Sequence, residues 1–98
     1  MKKHTSIYMK ALGYDITDYI PCELTGGCGV DLHHIVKRED RIENLMLLTR
    51  ELHLRYGEIK SAYVFLLEAH RNFLIKNRVP FDNEWFNNHI ESYSIYKE

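Results

Sequence analysis

Two kinds of hydrophobic spacing alternate along the chain. Ile7, Tyr8, Ala11 and Leu12 recur at the 3.6-residue spacing of a helix, with Thr5 or Ser6 placed to cap it and Gly13 to stop it in a left-handed turn. Residues 14–20 read as extended or irregular, and Pro21 discourages a central-strand role because it has no amide hydrogen to give to a ladder. Residues 24–29 hold three glycines, so the chain is expected to reverse there and feed a β-branched strand over residues 30–36. A polar link over residues 37–42 leads to Asn44, expected to open a second strand, Leu45 to Leu48.

Helical spacing then returns. Thr49 is well placed as an N-cap for a helix over residues 50–56 that Gly57 ends. A longer helix is expected from Glu58 to about Asn77, with Ile59, Ala62, Tyr63, Leu66, His70, Phe73 and Leu74 on its apolar stripe. Val64, Phe65, Leu67 and Ile75 widen that stripe beyond one face. A hairpin of this size cannot cover so much, so the stripe is expected to pack under the terminal helices or to form a homodimer seam. Pro80 separates it from a last helix capped by Asp82 or Asn83, in which Phe86, His89, Ile90 and Tyr93 share a face and Phe81 can staple against Phe86. The resulting expectation is an α+β fold: a small antiparallel β-hairpin plus helix, with an N-terminal helix and two C-terminal helices.

At 98 residues the chain is read as a single domain, 1–98, with a core over about 21–57 and a helical extension over about 58–98. A domain this small buries only about 60 to 70% of its unfolded surface, so a bound metal or self-association would add appreciably to its stability. A hydrophobic share of 45% with 28% charged residues is that of a globular chain. Cys22 and Cys28 are too few for a disulfide framework, and no signal peptide or membrane span is visible, so a cytoplasmic setting without membrane contact is expected. The formal charge of −1 weighs against strong nucleic-acid binding, which usually draws on a basic excess.

The chemistry concentrates in Val30-Asp31-Leu32-His33-His34-Ile35-Val36 and Glu43-Asn44-Leu45-Met46-Leu47-Leu48-Thr49-Arg50-Glu51-Leu52-His53. Two adjacent histidines on an apolar strand, an asparagine after a polar link and a third histidine one turn past a threonine cap are hard to explain as core alone. Neighbours on a regular strand point to opposite faces, so His33 and His34 must divide the work unless the strand bends. Asp31 alternates onto the face of His33, where direct ligation or a supporting hydrogen bond is open to it.

These residues resemble the HNH (ββα-metal) nucleases over residues 21–57. The resemblance implies a hairpin and helix clasping one divalent cation, with His33 and His53 as metal ligands and His34 as the general base. Asn44 would orient the base by hydrogen bonding across to the backbone at His34. It implies hydrolysis of DNA phosphodiester bonds with Mg²⁺ as the cellular ion, Mn²⁺, Ni²⁺ or Zn²⁺ also being suited to imidazole ligands.

The chain departs from its relatives in two places. Gly57 stands where some carry a further histidine. The cysteine pairs that hold a structural zinc in many of them are here reduced to Cys22 and Cys28, with Thr49 and Leu52 at the second pair's positions, which argues against that zinc. Two small buried thiols are expected instead.

Lys37, Arg38, Arg41 and Arg50 are candidate phosphate contacts, with pairing to nearby acids as the competing fate of Arg50. His4 is expected to be an exposed bystander and His70 a packed or hydrogen-bonded histidine. Trp85 and the last tyrosines are expected to be packed more readily than stacked on bases. The competing functional class is a binding or inhibitory module, or a nuclease subunit that needs a protein partner.

Overall fold

A strand buried on both faces organises the molecule. Leu45–Leu48 (β2) is apolar at all four positions and all four are buried. It pairs antiparallel with Asp31–His34 (β1), Asp31 opposite Leu48, Leu32 opposite Leu47, His33 opposite Met46 and His34 opposite Leu45. The computed structural model describes every residue except Met1, Ile16, Glu58, Lys97 and Glu98. Helices Lys3–Leu12 (α1), Arg50–Tyr56 (α2), Tyr63–Lys76 (α3) and Asn83–Tyr93 (α4) complete an α+β architecture around the two-stranded sheet.

The alternation of β2 assigns its faces to two hydrophobic clusters. Leu45 and Leu47 meet Tyr8 of α1, with Ile7, Leu12, Ile20 and Leu32 packed around them. Met46 and Leu48 point the other way, into a larger cluster with Ile35, Leu66, Leu67, Leu74, Trp85 and Phe86, which Leu52 and Tyr56 of α2 also join. Each buried leucine there contributes about 1.5–3 kcal/mol relative to exposure, so both sides of this strand matter energetically. Because cross-strand partners share a face, His33 lies with Met46 on the α2 side and His34 with Leu45 on the α1 side.

Local signals explain the element ends. Gly13 adopts φ 74 and returns its N–H to Lys10 O, as expected of a left-handed stop. The start of α1 differs from expectation: Lys2 is the N-cap and makes no side-chain cap bond, and Thr5 and Ser6 lie inside the helix. Thr49 caps α2 through its side chain, which accepts from Leu52 N at 3.2 Å. Asp82 caps α4 by accepting from Glu84 N and Trp85 N, and Phe81 meets Phe86 edge-on with ring centroids 5.4 Å apart.

β1 is shorter than the expected 30–36, yet Val30 N still donates to Leu48 O and Ile35 N to Asn44 O, so bonding runs past both ends. Asn44 closes a 3₁₀ turn, Ile42–Asn44, instead of opening β2. The expected start of the long helix at Glu58 lies outside the described residues; a 3₁₀ turn, Lys60–Ala62, leads into α3. α3 ends at Lys76, before Pro80, and Arg78 takes a left-handed φ of 57. Cys22 is buried but Cys28 is exposed, correcting the expectation of two buried thiols. No helix among the described residues is long and apolar enough to cross a membrane.

α3 buries Val64, Leu66, Leu67, His70 and Leu74 and packs against α4, so the wide stripe is largely covered from within the chain. A polar chain runs through this packing. His70 Nδ1 lies 2.6 Å from Glu23 Oε1 and His70 Nε2 lies 2.6 Å from Ile42 O, while Glu23 Oε2 accepts from Tyr8 O–H at 2.6 Å. Both side chains of the His70–Glu23 pair are fully buried. Since Nε2 faces a carbonyl it must carry hydrogen, and the carboxyl and Nδ1 share one further proton. Glu23 N also donates to Leu47 O, so the loop before β1 screens the free edge of β2.

Candidate functional site

β1 is an edge strand, and a cleft of about 440 Å³ opens beside it. His33, His34 and His53 all line it, with Lys2, His4, Leu32, Val36, Lys37, Arg38, Gly57 and Tyr63 completing the wall. Opposite strand faces therefore reach one opening, because the cleft wraps the edge and takes one histidine from each side.

On the α2 side, the His33 and His53 rings lie with centroids 4.8 Å apart. His33 is only 7% exposed, and its Nε2 is buried without a hydrogen-bond partner among the described residues. Burial, helped by the neighbouring His53 and His34, outweighs the opposing pull of the Gly57 backbone and pushes the His33 pKa down to about 4. The ring is consequently neutral near pH 7, the form that offers a lone pair.

His53 reaches the cleft from the first turns of α2, and its Nδ1 lies 3.0 Å from Asp31 Oδ2. Donation from Nδ1–H to that carboxylate leaves Nε2 with the free lone pair, the usual way an acid orients a ligating imidazole. Asp31 also accepts two bonds from Arg50, at 2.8 and 3.1 Å, and the hydrogen bond from His53 together with Arg50 holds its carboxyl below the usual range. Of the two roles open to Asp31, the orienting one is the one its contacts describe.

Gly57 explains its own identity. A Cβ there would stand 2.5 Å from His53 O and 2.8 Å from His53 Cδ2, so the helix end closes tightly over the His53 ring. A histidine at this position has no room.

On the α1 side, His34 Nε2 is 2.8 Å from Asp40 Oδ1, and this hydrogen bond is the main reason the Asp40 carboxyl sits below its ordinary value. Donation to Asp40 fixes the tautomer and leaves His34 Nδ1 as the basic nitrogen. Asn44 is fully buried and makes three bonds: it accepts from Val36 N at 3.0 Å, donates to Glu39 O at 3.0 Å, and donates to Lys37 O. It thus fastens the loop that follows His34, starting two residues beyond the histidine, where the expected bond was to the backbone at His34 itself.

The four cations behave differently from one another. Lys37 and Arg38 are exposed on the cleft wall. Arg50 is paired with Asp31, and its side chain is 69% exposed. Neither Arg41 nor Arg50 lines the cleft wall; Arg41 engages Glu39, Glu43 and Asp82 and lies 5.5 Å over the Trp85 ring. Trp85 itself is buried.

Two residues at the site escaped sequence reasoning. His4, expected to be a bystander, is half-buried with its ring centroid 5.1 Å from that of His34, and Asp40 is the partner of His34. The only signal was the six-residue spacing of Asp40 from His34 across a short turn, and nothing in the sequence pointed to His4.

On the α2 side, an unpartnered buried imidazole nitrogen belongs to a ring 4.8 Å from a second imidazole whose Nδ1 is held by a carboxylate, nitrogen donors of the kind that transition ions take. Compared with known proteins, the chain matches no family model, no curated protein and no solved structure.

Proposed function

We propose that this chain is a metal-dependent endonuclease of the HNH type, hydrolysing DNA phosphodiester bonds. The observation that carries the reading is the shared cleft: His33 Nε2 without a partner beside an oriented His53, and a carboxylate-held His34 on the same wall. His33 and His53 would hold one divalent cation, Mg²⁺ in the cell, with Mn²⁺, Ni²⁺ or Zn²⁺ as alternatives. When bound, that ion supplies charge stabilisation for the phosphate and the departing 3′ oxygen.

His34 takes a proton from the water that attacks phosphorus, using the nitrogen not committed to Asp40. Asp40 stabilises the imidazolium that forms, as a carboxylate does for any ring that must become charged. Asp31 keeps the His53 ring turned for ligation, Asn44 fixes the loop behind His34, and Lys37 and Arg38 offer charge to the DNA backbone.

Supercoiled plasmid with Mg²⁺ or Mn²⁺ tests this. Nicking is expected from the parent chain, and His34→Ala is expected to lower its rate by about two to four decades, the usual worth of a general base. His33→Ala and His53→Ala should shift the metal titration to higher concentration. Nicking unchanged in His34→Ala removes the assignment.

A second reading, a binding or inhibitory module of the same shape or a subunit that needs a protein partner, draws on the formal charge of −1 and on the arginines already paired with acids. Phe65 and Ile75 on the outer side of α3 are its candidate contacts for such a partner or for a second copy. Plasmid that stays supercoiled under every metal would favour it.

A further inference from the structure

His4, His34 and Asp40 form a second group of ligands, separate from His33 and His53. We propose that they bind one transition-metal ion, Zn²⁺ being the best match, and that its binding silences His34. The three come from different parts of the fold: the first turn of α1, the end of β1 and the loop before the 3₁₀ turn. One ligand atom from each lies within 4.8 Å of the others, with His4 and His34 half-buried and Asp40 exposed.

The geometry is close to what zinc needs. With zinc–nitrogen distances of about 2.0–2.1 Å, two ligand atoms at tetrahedral corners stand roughly 3.3 Å apart. His34 Nε2 and Asp40 Oδ1 are 2.8 Å apart, so a shift of roughly half an ångström by an exposed aspartate converts a hydrogen bond into a ligand pair. Two imidazoles and one carboxylate with an open fourth position are a ligand set that suits Zn²⁺.

His4, His34 and Asp40 line a hollow together with Lys2, Lys3 and Arg38. These cations oppose a bare divalent ion and favour one that carries an anion, so the fourth ligand is expected to be hydroxide or a phosphate oxygen.

A neutral imidazole has one lone pair. If metal takes that of His34, the ring can no longer accept a proton from water, whichever nitrogen is used. The binding site stands independently of the nuclease reading; only the inhibition rests on it.

Co²⁺ serves as the probe, because its visible bands report tetrahedral ligation without any activity measurement. The parent, His4→Ala, Asp40→Asn and His53→Ala chains, each checked for folding by circular dichroism, are titrated with Co²⁺ and then competed with Zn²⁺. A tetrahedral Co²⁺ equivalent lost in His4→Ala and Asp40→Asn but kept in His53→Ala is the expected result. Titrations of His4→Ala and Asp40→Asn that match the parent overturn the site.

Plasmid nicking with Mn²⁺ tests the consequence: added Zn²⁺ should inhibit the parent at least tenfold more strongly than His4→Ala. Equal inhibition refutes the silencing of His34 while leaving the binding result intact. A parent that never nicks refutes the nuclease reading alone.

Discussion

Acidification should loosen this fold through His33. The ring has an ordinary value of 6.5 and is held at about 4 in the folded chain by burial, aided by His53 and His34. Between those values the unfolded chain binds the proton and the folded chain does not, so stability is full above pH 6.5 and falls as pH drops toward 4. Integrating the linkage gives a loss of about 1 kcal/mol at pH 5.5 and about 3 kcal/mol at pH 4.

The carboxyls of Asp31 and Asp40 are also held low in the folded state, so their stabilisation declines in the same direction, at and below the carboxylate range. A variant isolates the histidine. Urea unfolding of the parent and of His33→Asn at pH 7, 5.5 and 4 should show the gap between the two chains moving in the variant's favour by about 3 kcal/mol over the range. A gap that does not move with pH would refute the placement of His33 as a buried neutral ring. At pH 7, Mn²⁺ should raise the parent's unfolding midpoint more than that of His33→Asn, because a ligand of the native state alone adds to its stability.

Two further outcomes follow from particular contacts. Glu23→Leu, which leaves His70 buried without its carboxylate, should cost about 3–5 kcal/mol, read as a fall in urea midpoint; a change under 1 kcal/mol would mean that the pair is not desolvated as described. Gly57→Ala should drive the His53 ring from its place, weakening Mn²⁺ binding by about tenfold or more with α2 otherwise retained by circular dichroism; unaltered Mn²⁺ affinity would contradict the tight closure over that ring.

The parts of the fold that local chemistry dictates could be read directly. Thr49 and Asp82 cap helices because their side chains accept amide hydrogens three residues or fewer away, and Gly13 stops α1 because only a short stretch of chain is involved. The β2 strand announced itself through four apolar residues in a row. What could not be read was set by distant neighbours. Glu23 and His70 are 47 positions apart, and their pairing depends on how α3 docks.

The candidate site divides in the same way. His33, His34, Asn44 and His53 lie in one hairpin and helix whose spacing is visible in the chain, and the structure brings the three imidazoles to one cleft. His4 arrives from a separate helix, and Thr5 and Ser6 failed as caps because α1 begins before them, at Lys3. Arg41 looked like a cation near the loop, but Glu39 and Glu43, two residues to either side, and Asp82 and Trp85 from a distant segment all engage it.

The pairing of His33 with Met46 and of His34 with Leu45 has a consequence for how chemical identity is assigned in this chain. Were the ladder to slip by a single residue, each imidazole would turn to the opposite face, one losing the company of His53 and the other that of Asp40. Nothing intrinsic distinguishes two consecutive histidines. Their separate duties are written in the registration of two short strands, and a change far from either ring that permits slippage would exchange or erase both.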